Sequence, residues 1–164
     1  MGAVGPGPSE DEPIGESDQK VQARSPGAAW RRGARPATKV THPLNPLVLD
    51  TGALIGFERR DRRVVRLLEL AGDVHVPAGA IAQAWRNPAR QVRLVRLLAS
   101  DEVSLWPFSV DVARAAGHLC GVTGTDDVID ASVVLLARQQ GATVVTSDLD
   151  DLRRLDAGVT LVSC

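Results

Sequence analysis

The sequence predicts an α/β protein in which a central parallel sheet lies between two layers of helices, a three-layer α/β/α sandwich. Short apolar runs, typical of buried strands, alternate with longer segments whose apolar residues recur at helical spacing. Two of these runs end in an aspartate, at the carboxyl end of a strand, where parallel sheets carry their functional groups. Strands that alternate with helices in this way imply parallel pairing.

Five strands are predicted from the apolar runs. The first, with the sequence PLVLD, is typical of a buried parallel strand and ends in Asp50. The fourth, TVVTSD, ends in Asp148 in the same manner. The five predicted strands are residues 46–50, 73–79, 102–108, 143–148 and 159–163.

Helices are predicted between these strands. Residues 51–72 have apolar positions at helical spacing, but the charged cluster 58–63 indicates a bend or a break between two helices. A short helix is expected at 80–87. The pair Asn87–Pro88 then indicates a new helix start over 89–100, because asparagine caps and proline fits the first helical position.

The second half of the chain contains two well-marked helices. Ser109 is a suitable cap for the helix that follows the third strand. The clearest helix precedes the fourth strand, with Thr125 or Asp126 as its cap and Gly141 just beyond its end. A short helix is expected between the fourth and fifth strands.

The first 43 residues differ from the rest of the chain. They contain six of the ten prolines and few large apolar residues, so they cannot bury enough surface to offset the entropy of ordering. We therefore predict a disordered extension over 1–43 and one globular domain over 44–164. Neither a secretory signal nor a run of transmembrane length is present, and we expect a cytoplasmic protein with no membrane partner.

Net charge and cysteine spacing limit the kinds of ligand that this chain is expected to bind. The net charge of −1 gives no bulk attraction for nucleic acid, although every strong base after Leu44 is an arginine, whose fork matches phosphate geometry. Cys120 and Cys164 form no ligand spacing with the three histidines. A zinc centre is therefore not expected.

Three acids are predicted to converge. Asp50 and Asp148 end two strands, and Asp130 lies in the first turns of the helix before the fourth strand, so the three meet if the first and fourth strands are neighbours. Asp127 lies one turn before Asp130 and should share its helical face. Clustered carboxylates resist joint ionisation unless a cation offsets the repulsion, and hard oxygen ligands select Mg²⁺ or Mn²⁺. Two such ions can activate water against a phosphodiester.

Each acid taken alone has a structural alternative. Aspartate after a strand often caps the next helix, which suits Asp50, Asp126 or Asp127, and Asp150. Asp130 differs, because an acid at that depth lowers helix propensity without capping. Spacing alone leaves the choice between a site and a set of caps open.

The sequence resembles the PIN-domain family, including the VapC-type toxins of toxin–antitoxin pairs. The resemblance is carried by LVLDTGALI, by VPAGAIAQAWR and by DASVVLLARQQGATVVTSDLDDL, and it spans nearly all of residues 44–164. It implies a PIN-like parallel sheet, Mg²⁺ or Mn²⁺ dependence, and cleavage of RNA phosphodiester bonds. It also implies an antitoxin partner and, as in many members, a homodimer.

One position departs from the family pattern. Where the family usually carries a glutamate, this chain has Gln83, which can orient a water molecule but adds no negative charge. Asp127 is a candidate to supply the missing carboxylate. Arg86, three residues after Gln83, is expected on the same helical face and is a candidate to position a substrate phosphate.

These residues support three hypotheses. The leading one is a metal-dependent endoribonuclease, as the toxin of a type II pair, with Asp50, Asp130 and Asp148 as metal ligands and Asp127 assisting. The alternative is a catalytically weak RNA-binding or regulatory PIN-like module, because of Gln83. A receiver-like phosphoryl-transfer domain is disfavoured, since Gly52 replaces a second acid and no lysine follows Lys39.

Overall fold

The computed structural model describes residues 45–164, and the predicted extension over 1–43 lies outside the described residues. A five-stranded sheet forms the centre of this part of the chain. Each predicted apolar run contains one strand, slightly shorter than expected. The strands are β1 (Leu47–Leu49), β2 (Val74–Pro77), β3 (Val103–Trp106), β4 (Thr143–Thr146) and β5 (Leu161–Ser163).

All strands in this sheet are parallel, in the order β3-β2-β1-β4-β5. The chain builds outward from β1 in one direction through β2 and β3, and then returns to place β4 on the other side of β1. In the β1–β4 pair, Leu49 lies opposite Val145. The strand order therefore reverses between β1 and β4, which is where α/β sheets open a crevice at the carboxyl edge.

Within residues 45–164, seven helices cover the two faces of the sheet, which confirms the predicted three-layer α/β/α fold. Apolar side chains alternate along β1, so that Val48 packs on one helix layer while Leu47 and Leu49 pack on the other. The helices are α1 (Thr51–Glu58), α2 (Arg62–Leu70), α3 (Ala78–Ala84), α4 (Val92–Leu98), α5 (Val110–Thr123), α6 (Val128–Gln140) and α7 (Leu149–Leu155).

Two apolar clusters form the core, one on each face of the sheet. The first contains buried residues of α5, α6 and α7, including Ala116, Val134 and Leu152. The second contains buried residues of α1, α3 and α4, including Leu54 and Leu94. Of the helices in residues 45–164, none has the length and hydropathy needed to cross a bilayer.

Helix boundaries agree with the sequence in some places and differ in others. The predicted break between α1 and α2 is present, Ser109 caps α5, and Gly141 ends α6 in the left-handed region with φ 60°. The cap of α6 is Asp127, so Thr125 or Asp126 was wrong as the helix start, and the structural alternative given for Asp127 is confirmed.

The start of α4 was also predicted wrongly. Asn87 Oδ1 accepts a hydrogen bond from the Ala89 amide within a turn, and the helix begins only at Val92. The Gln91 side chain explains the delay, because its Oε1 accepts hydrogen bonds from the Arg86 and Asn87 amides. The turn is thereby held closed around the Asn87 carbonyl, which accepts the Arg90 and Gln91 amides, and the regular helix starts only at Val92.

Candidate active site

Asp50 lies at the carboxyl end of β1, at the point where the strand order reverses. It is buried, and Thr146 Oγ1 at the end of β4 donates a hydrogen bond of 2.8 Å to its Oδ2. Its other oxygen accepts the Thr51 amide at the start of α1, so the side chain is also the cap of that helix. Burial raises the pKa of the Asp50 carboxyl, and the hydrogen bonds from Thr146 and Thr51 partly oppose this rise.

Asp148 lies beside Asp50 because β4 is the neighbour of β1. Its backbone amide donates to Thr146 Oγ1 at 2.9 Å, so this threonine links the backbone at Asp148 to the carboxylate of Asp50. The Asp148 side chain is exposed and accepts the Asp151 amide at 3.3 Å, as the cap of α7. Its carboxylate remains accessible from solvent.

Asp130 lies in the first turn of α6 and is half-buried. The pKa of this carboxyl is raised to about 7, mainly by burial and then by the negative charges of neighbouring aspartates. The aspartates that contribute are Asp50, Asp127, Asp151 and Asp148. Acids from three separate parts of the chain therefore act on one another electrostatically at this edge of the sheet.

Asp127 has a more local role than the sequence predicted. It precedes the helix instead of sharing a helical face with Asp130, because its Oδ1 accepts the Ile129 and Asp130 amides at 2.8 and 2.9 Å. The same carboxylate nevertheless adds its charge to the field at Asp130. Asp127 is therefore a helix cap that also belongs to the acidic cluster.

Gln83 is connected to this cluster through the start of α1. Its side-chain Oε1 accepts a hydrogen bond of 2.6 Å from Thr51 Oγ1, and Thr51 directly follows Asp50. Arg86, in contrast, is not on the same helical face, because α3 ends at Ala84. Its exposed guanidinium instead donates to the carbonyls of Ala82 and Trp85, at 3.3 and 2.9 Å.

Three residues around the acids were missed by the sequence analysis. Thr51 and Thr146 hold Asp50 from two sides, and Asp151 adds a further negative charge near Asp130. A signal for Thr146 was present, because a hydroxyl two residues before Asp148 lies at the same end of β4. Nothing in the sequence pattern distinguishes Asp151 from the exposed aspartates beside it.

The clustered aspartate side chains have the chemistry needed to bind a hard divalent cation. All the clustered side chains offer carboxylate oxygens, which suit Mg²⁺ or Mn²⁺. The raised pKa of Asp130 reflects burial first and then repulsion between carboxylates, and a cation would offset the repulsion. Within residues 45–164, the side chains as they stand form no group of three or more Asp, Glu, His or Cys that could hold one ion. Binding therefore requires the carboxylates to close around the cation.

The comparisons with known proteins agree with this architecture. The family model described as PIN domain matches residues 47–158, which include the strand ends and the acidic cluster. No curated protein sequence matches the chain.

Solved structures with the same fold include several toxin–antitoxin proteins. VapBC2 from Rickettsia felis, bound to a promoter DNA fragment, has a TM-score of 0.55 at 16% identity, over 73% of this chain and 98% of that one. VapC20 from Mycobacterium tuberculosis, a sarcin–ricin loop cleaving toxin, has a TM-score of 0.58 at 16% identity, over 70% and 96%. A Klebsiella pneumoniae toxin–antitoxin complex has 0.56 at 18% identity, over 71% and 95%.

Proposed function

The chain belongs to the PIN domain family, and from this we propose that it is a metal-dependent endoribonuclease that works as the toxin of a toxin–antitoxin pair. The observation that carries the proposal is the electrostatic coupling at Asp130. Burial raises its pKa most, and four other aspartates raise it further; they come from the ends of β1 and β4, from the cap of α6 and from α7. A protein gains no stability from such a cluster, which is why it indicates a binding site for positive charge.

The proposed ligands are Asp50, Asp130 and Asp148. Asp50 is held by two hydrogen bonds at the buried end of the site, and Asp148 offers an accessible carboxylate at the rim. When bound, Mg²⁺ or Mn²⁺ supplies Lewis-acid chemistry, since it lowers the pKa of water and neutralises charge on a phosphodiester. The protein contributes the position of each carboxylate.

The other residues act around these ligands. Asp127 caps α6 and so fixes the first turn that carries Asp130. Gln83 binds the Thr51 hydroxyl, and in this way it orients the start of α1 beside Asp50. Arg86 remains a candidate to hold a substrate phosphate only after its guanidinium leaves the helix-end carbonyls.

The proposed partner is an antitoxin protein. Similar folds occur in solved VapBC and toxin–antitoxin complexes, and one similar protein is described as a sarcin–ricin loop cleaving toxin. These similarities support an RNA substrate and a protein inhibitor for this chain. A homodimer is the proposed assembly, as in many PIN proteins.

Replacing Asp50 with asparagine tests the catalytic proposal. The asparagine oxygen can still accept the Thr51 amide and cap α1, and its NH2 group can donate to the Thr146 hydroxyl, so the fold should remain while the buried negative charge is lost. We expect Asp50→Asn to reduce Mn²⁺-dependent RNA cleavage to background, with an unchanged circular dichroism spectrum. Asp126→Asn, which removes an exposed acid next to the cluster, is the matched control and should cleave normally. Equal cleavage by wild type and Asp50→Asn would remove the site.

The second candidate function is a non-catalytic RNA-binding or regulatory module. It is favoured by Gln83, a neutral side chain hydrogen-bonded next to Asp50 where the family usually has a glutamate. The variant Gln83→Glu, assayed with Mn²⁺, separates the two functions. Cleavage by the variant together with an inert wild type would favour the binding module, whereas cleavage by both supports the nuclease.

A further inference from the structure

A cluster of arginines lies at the turn between α1 and α2, and we call residues 59–63 the arginine turn. Its four arginines are exposed, and none has an ion pair or a side-chain hydrogen bond with any residue in 45–164. They are Arg59, Arg60, Arg62 and Arg63. Four guanidinium groups without a partner within five consecutive positions form a concentrated positive surface.

The two acids near the arginine turn offset only part of its positive charge, because neither forms an ion pair with the four arginines. Asp61 accepts the amides of Arg63 and Val64 at 2.8 and 3.2 Å, as the cap of α2. Glu58 accepts the Leu94 amide at 2.6 Å, at the start of α4. Because both carboxylates are directed to backbone donors, the neighbouring guanidinium groups are left available for an external anion.

Arg60 adopts an unfavourable backbone conformation. Its φ is 65°, in the left-handed region, and it is the one non-glycine residue with positive φ in the described part of the chain. It stands just after the end of α1, where the Asp61 amide donates back to the Gly56 carbonyl at 2.8 Å, a helix ending that usually carries glycine. An arginine at a position suited to glycine indicates that the arginine side chain itself is needed for binding or for function.

A cavity joins this turn to the acidic cluster. It has a volume of about 420 Å³, and its lining includes Arg59 and Asp61 of the arginine turn together with Gly52, Ser147 and Cys164. Gly52 follows Asp50 by two residues, and Ser147 directly precedes Asp148. The cavity therefore lies between the strand ends that carry the two acids and the arginine turn.

We propose that the arginine turn binds the phosphate backbone of single-stranded RNA and guides the strand through this cavity to the acidic cluster. The proposal rests on the proposed nuclease function. Clustered carboxylates repel a polyanion, and the net charge of −1 gives no overall attraction, so cations beside the cluster are needed to hold the strand. The proposed positioning residues are Arg59, which lines the cavity, and Arg60, which follows it in the turn.

The observations favour RNA over an acidic peptide. Guanidinium forks match phosphate geometry in a bidentate manner, and phosphates are spaced regularly along a strand. The cavity wall formed by α1 includes Gly52 and Gly56, which leave room for a backbone, and one large apolar side chain, Ile55.

Binding of a labelled single-stranded RNA oligonucleotide to the full chain, without divalent metal, tests the proposal independently of cleavage. We expect Arg59→Ala and Arg60→Gly each to weaken binding by about 5–10-fold, since each removes a charge-assisted phosphate contact. The slope of log K against log salt should fall by roughly 0.7 for each arginine removed. Arg114→Ala is the matched control, because Arg114 is exposed and unpaired on α5, in the opposite helix layer.

Two further measurements distinguish positioning from a structural role. Arg60→Gly should unfold at the same or a higher temperature than wild type, because glycine relieves the left-handed conformation. In cleavage assays, Arg59→Ala should raise KM and leave kcat nearly unchanged, and Arg59→Lys should recover part of the loss. A weaker-binding Arg60→Gly that is also destabilised would overturn the proposal.

The outcomes also separate this proposal from the nuclease function. A wild type that binds RNA through the arginine turn but cleaves none would refute the nuclease function and support the RNA path. A wild type that cleaves, with Arg59→Ala and Arg60→Gly binding RNA as Arg114→Ala does, would overturn the RNA path. The arginine turn would then be interpreted as a binding site for an acidic segment of a protein partner.

Discussion

Asp130 is the residue at which the conflict between stability and function is most visible. A carboxyl on the first turn of a helix would ordinarily ionise near pH 4, but here burial and neighbouring aspartates raise its pKa to about 7. In the unfolded chain the same group loses its proton at the ordinary value. Between these two pH values the folded state holds more protons than the unfolded state, so stability falls as pH rises through this window.

Asp130→Asn should therefore stabilise the metal-free protein at high pH and not at low pH. At pH 8 we expect a gain of about 1–2 kcal/mol in unfolding free energy, since the half-exposed carboxyl is partly screened. Near pH 4 the difference should vanish, because the wild-type carboxyl is protonated in the folded state. Urea unfolding in EDTA at both pH values measures this. A gain that is equal at pH 4 and pH 8 would show that the charge is not the cause.

Gly52 is the second residue whose environment makes a direct prediction. A Cβ at this position would overlap Ser147 Oγ and lie 3.0 Å from the Ser147 backbone nitrogen, so α1 and the end of β4 would have to separate. We expect Gly52→Ala to cost about 1–3 kcal/mol. It should also reduce cleavage, because Asp50 and Asp148 flank this contact.

Gly117→Ala is the control for Gly52→Ala. Gly117 is in the interior of α5, and a Cβ there meets nothing within 4 Å. Alanine should therefore stabilise the helix by about 0.5–1 kcal/mol. Thermal unfolding of both variants gives the comparison, and similar shifts for the two would contradict the steric explanation.

At the scale of elements, the Asp127 carboxylate at the start of α6 has two roles. Asp127 caps the helix through the Ile129 and Asp130 amides, and its charge also contributes to the field at Asp130. These contributions can be separated because serine caps a helix without carrying a charge.

Asp127→Ala should lose about 1 kcal/mol of stability, whereas Asp127→Ser should lose much less. If the charge assists catalysis, both variants should have reduced Mn²⁺-dependent cleavage. Denaturant unfolding and initial cleavage rates, measured for the same preparations, test this. Full activity of the serine variant would limit Asp127 to its structural role.

The elements themselves were largely predictable from the sequence. Buried runs such as residues 143–146 are almost entirely apolar or β-branched, and parallel strands covered on both faces require this pattern. The errors occurred where a side chain competes with the backbone. Gln91 closes the turn after α3 and delays α4, and Asp127 takes the cap that Thr125 or Asp126 was expected to supply. Periodicity carries no information about such local competition.

At the scale of the whole molecule, the sequence predicted that Asp50 and Asp148 follow neighbouring strands, but not how their side chains are held. Strand ends placed Asp50 and Asp148 correctly because parallel sheets align their carboxyl edges, and the observed β1–β4 pairing satisfies the condition stated for convergence. The hydrogen bond from Thr146 to Asp50 depends on side-chain geometry, which the sequence pattern does not give. Arg86 is not on the helical face of Gln83 because α3 ends before it. The metal role of the cluster stays a prediction.

Metal binding should appear in the stability of the whole molecule. If Asp50, Asp130 and Asp148 take up Mn²⁺ only in the folded chain, an ion at 100 times its Kd adds about 2.7 kcal/mol. We expect Mn²⁺ to raise the unfolding temperature of the wild type at pH 7.5 and to leave Asp50→Asn nearly unchanged. Ca²⁺ serves as the comparison ion of larger radius. An equal rise for both proteins would place the binding elsewhere.

The central pairing of β1 with β4 has a consequence for synthesis of the chain. Asp50 is joined to Thr146 across 96 positions of sequence, and β1 lacks one of its two neighbours until β4 has been made. A growing polypeptide that still ends before Thr143 therefore has neither Asp148 nor the hydroxyl that fixes Asp50. Because domains fold as units once their distant partners emerge, the proposed catalytic centre cannot be completed on the ribosome before β4 has been made.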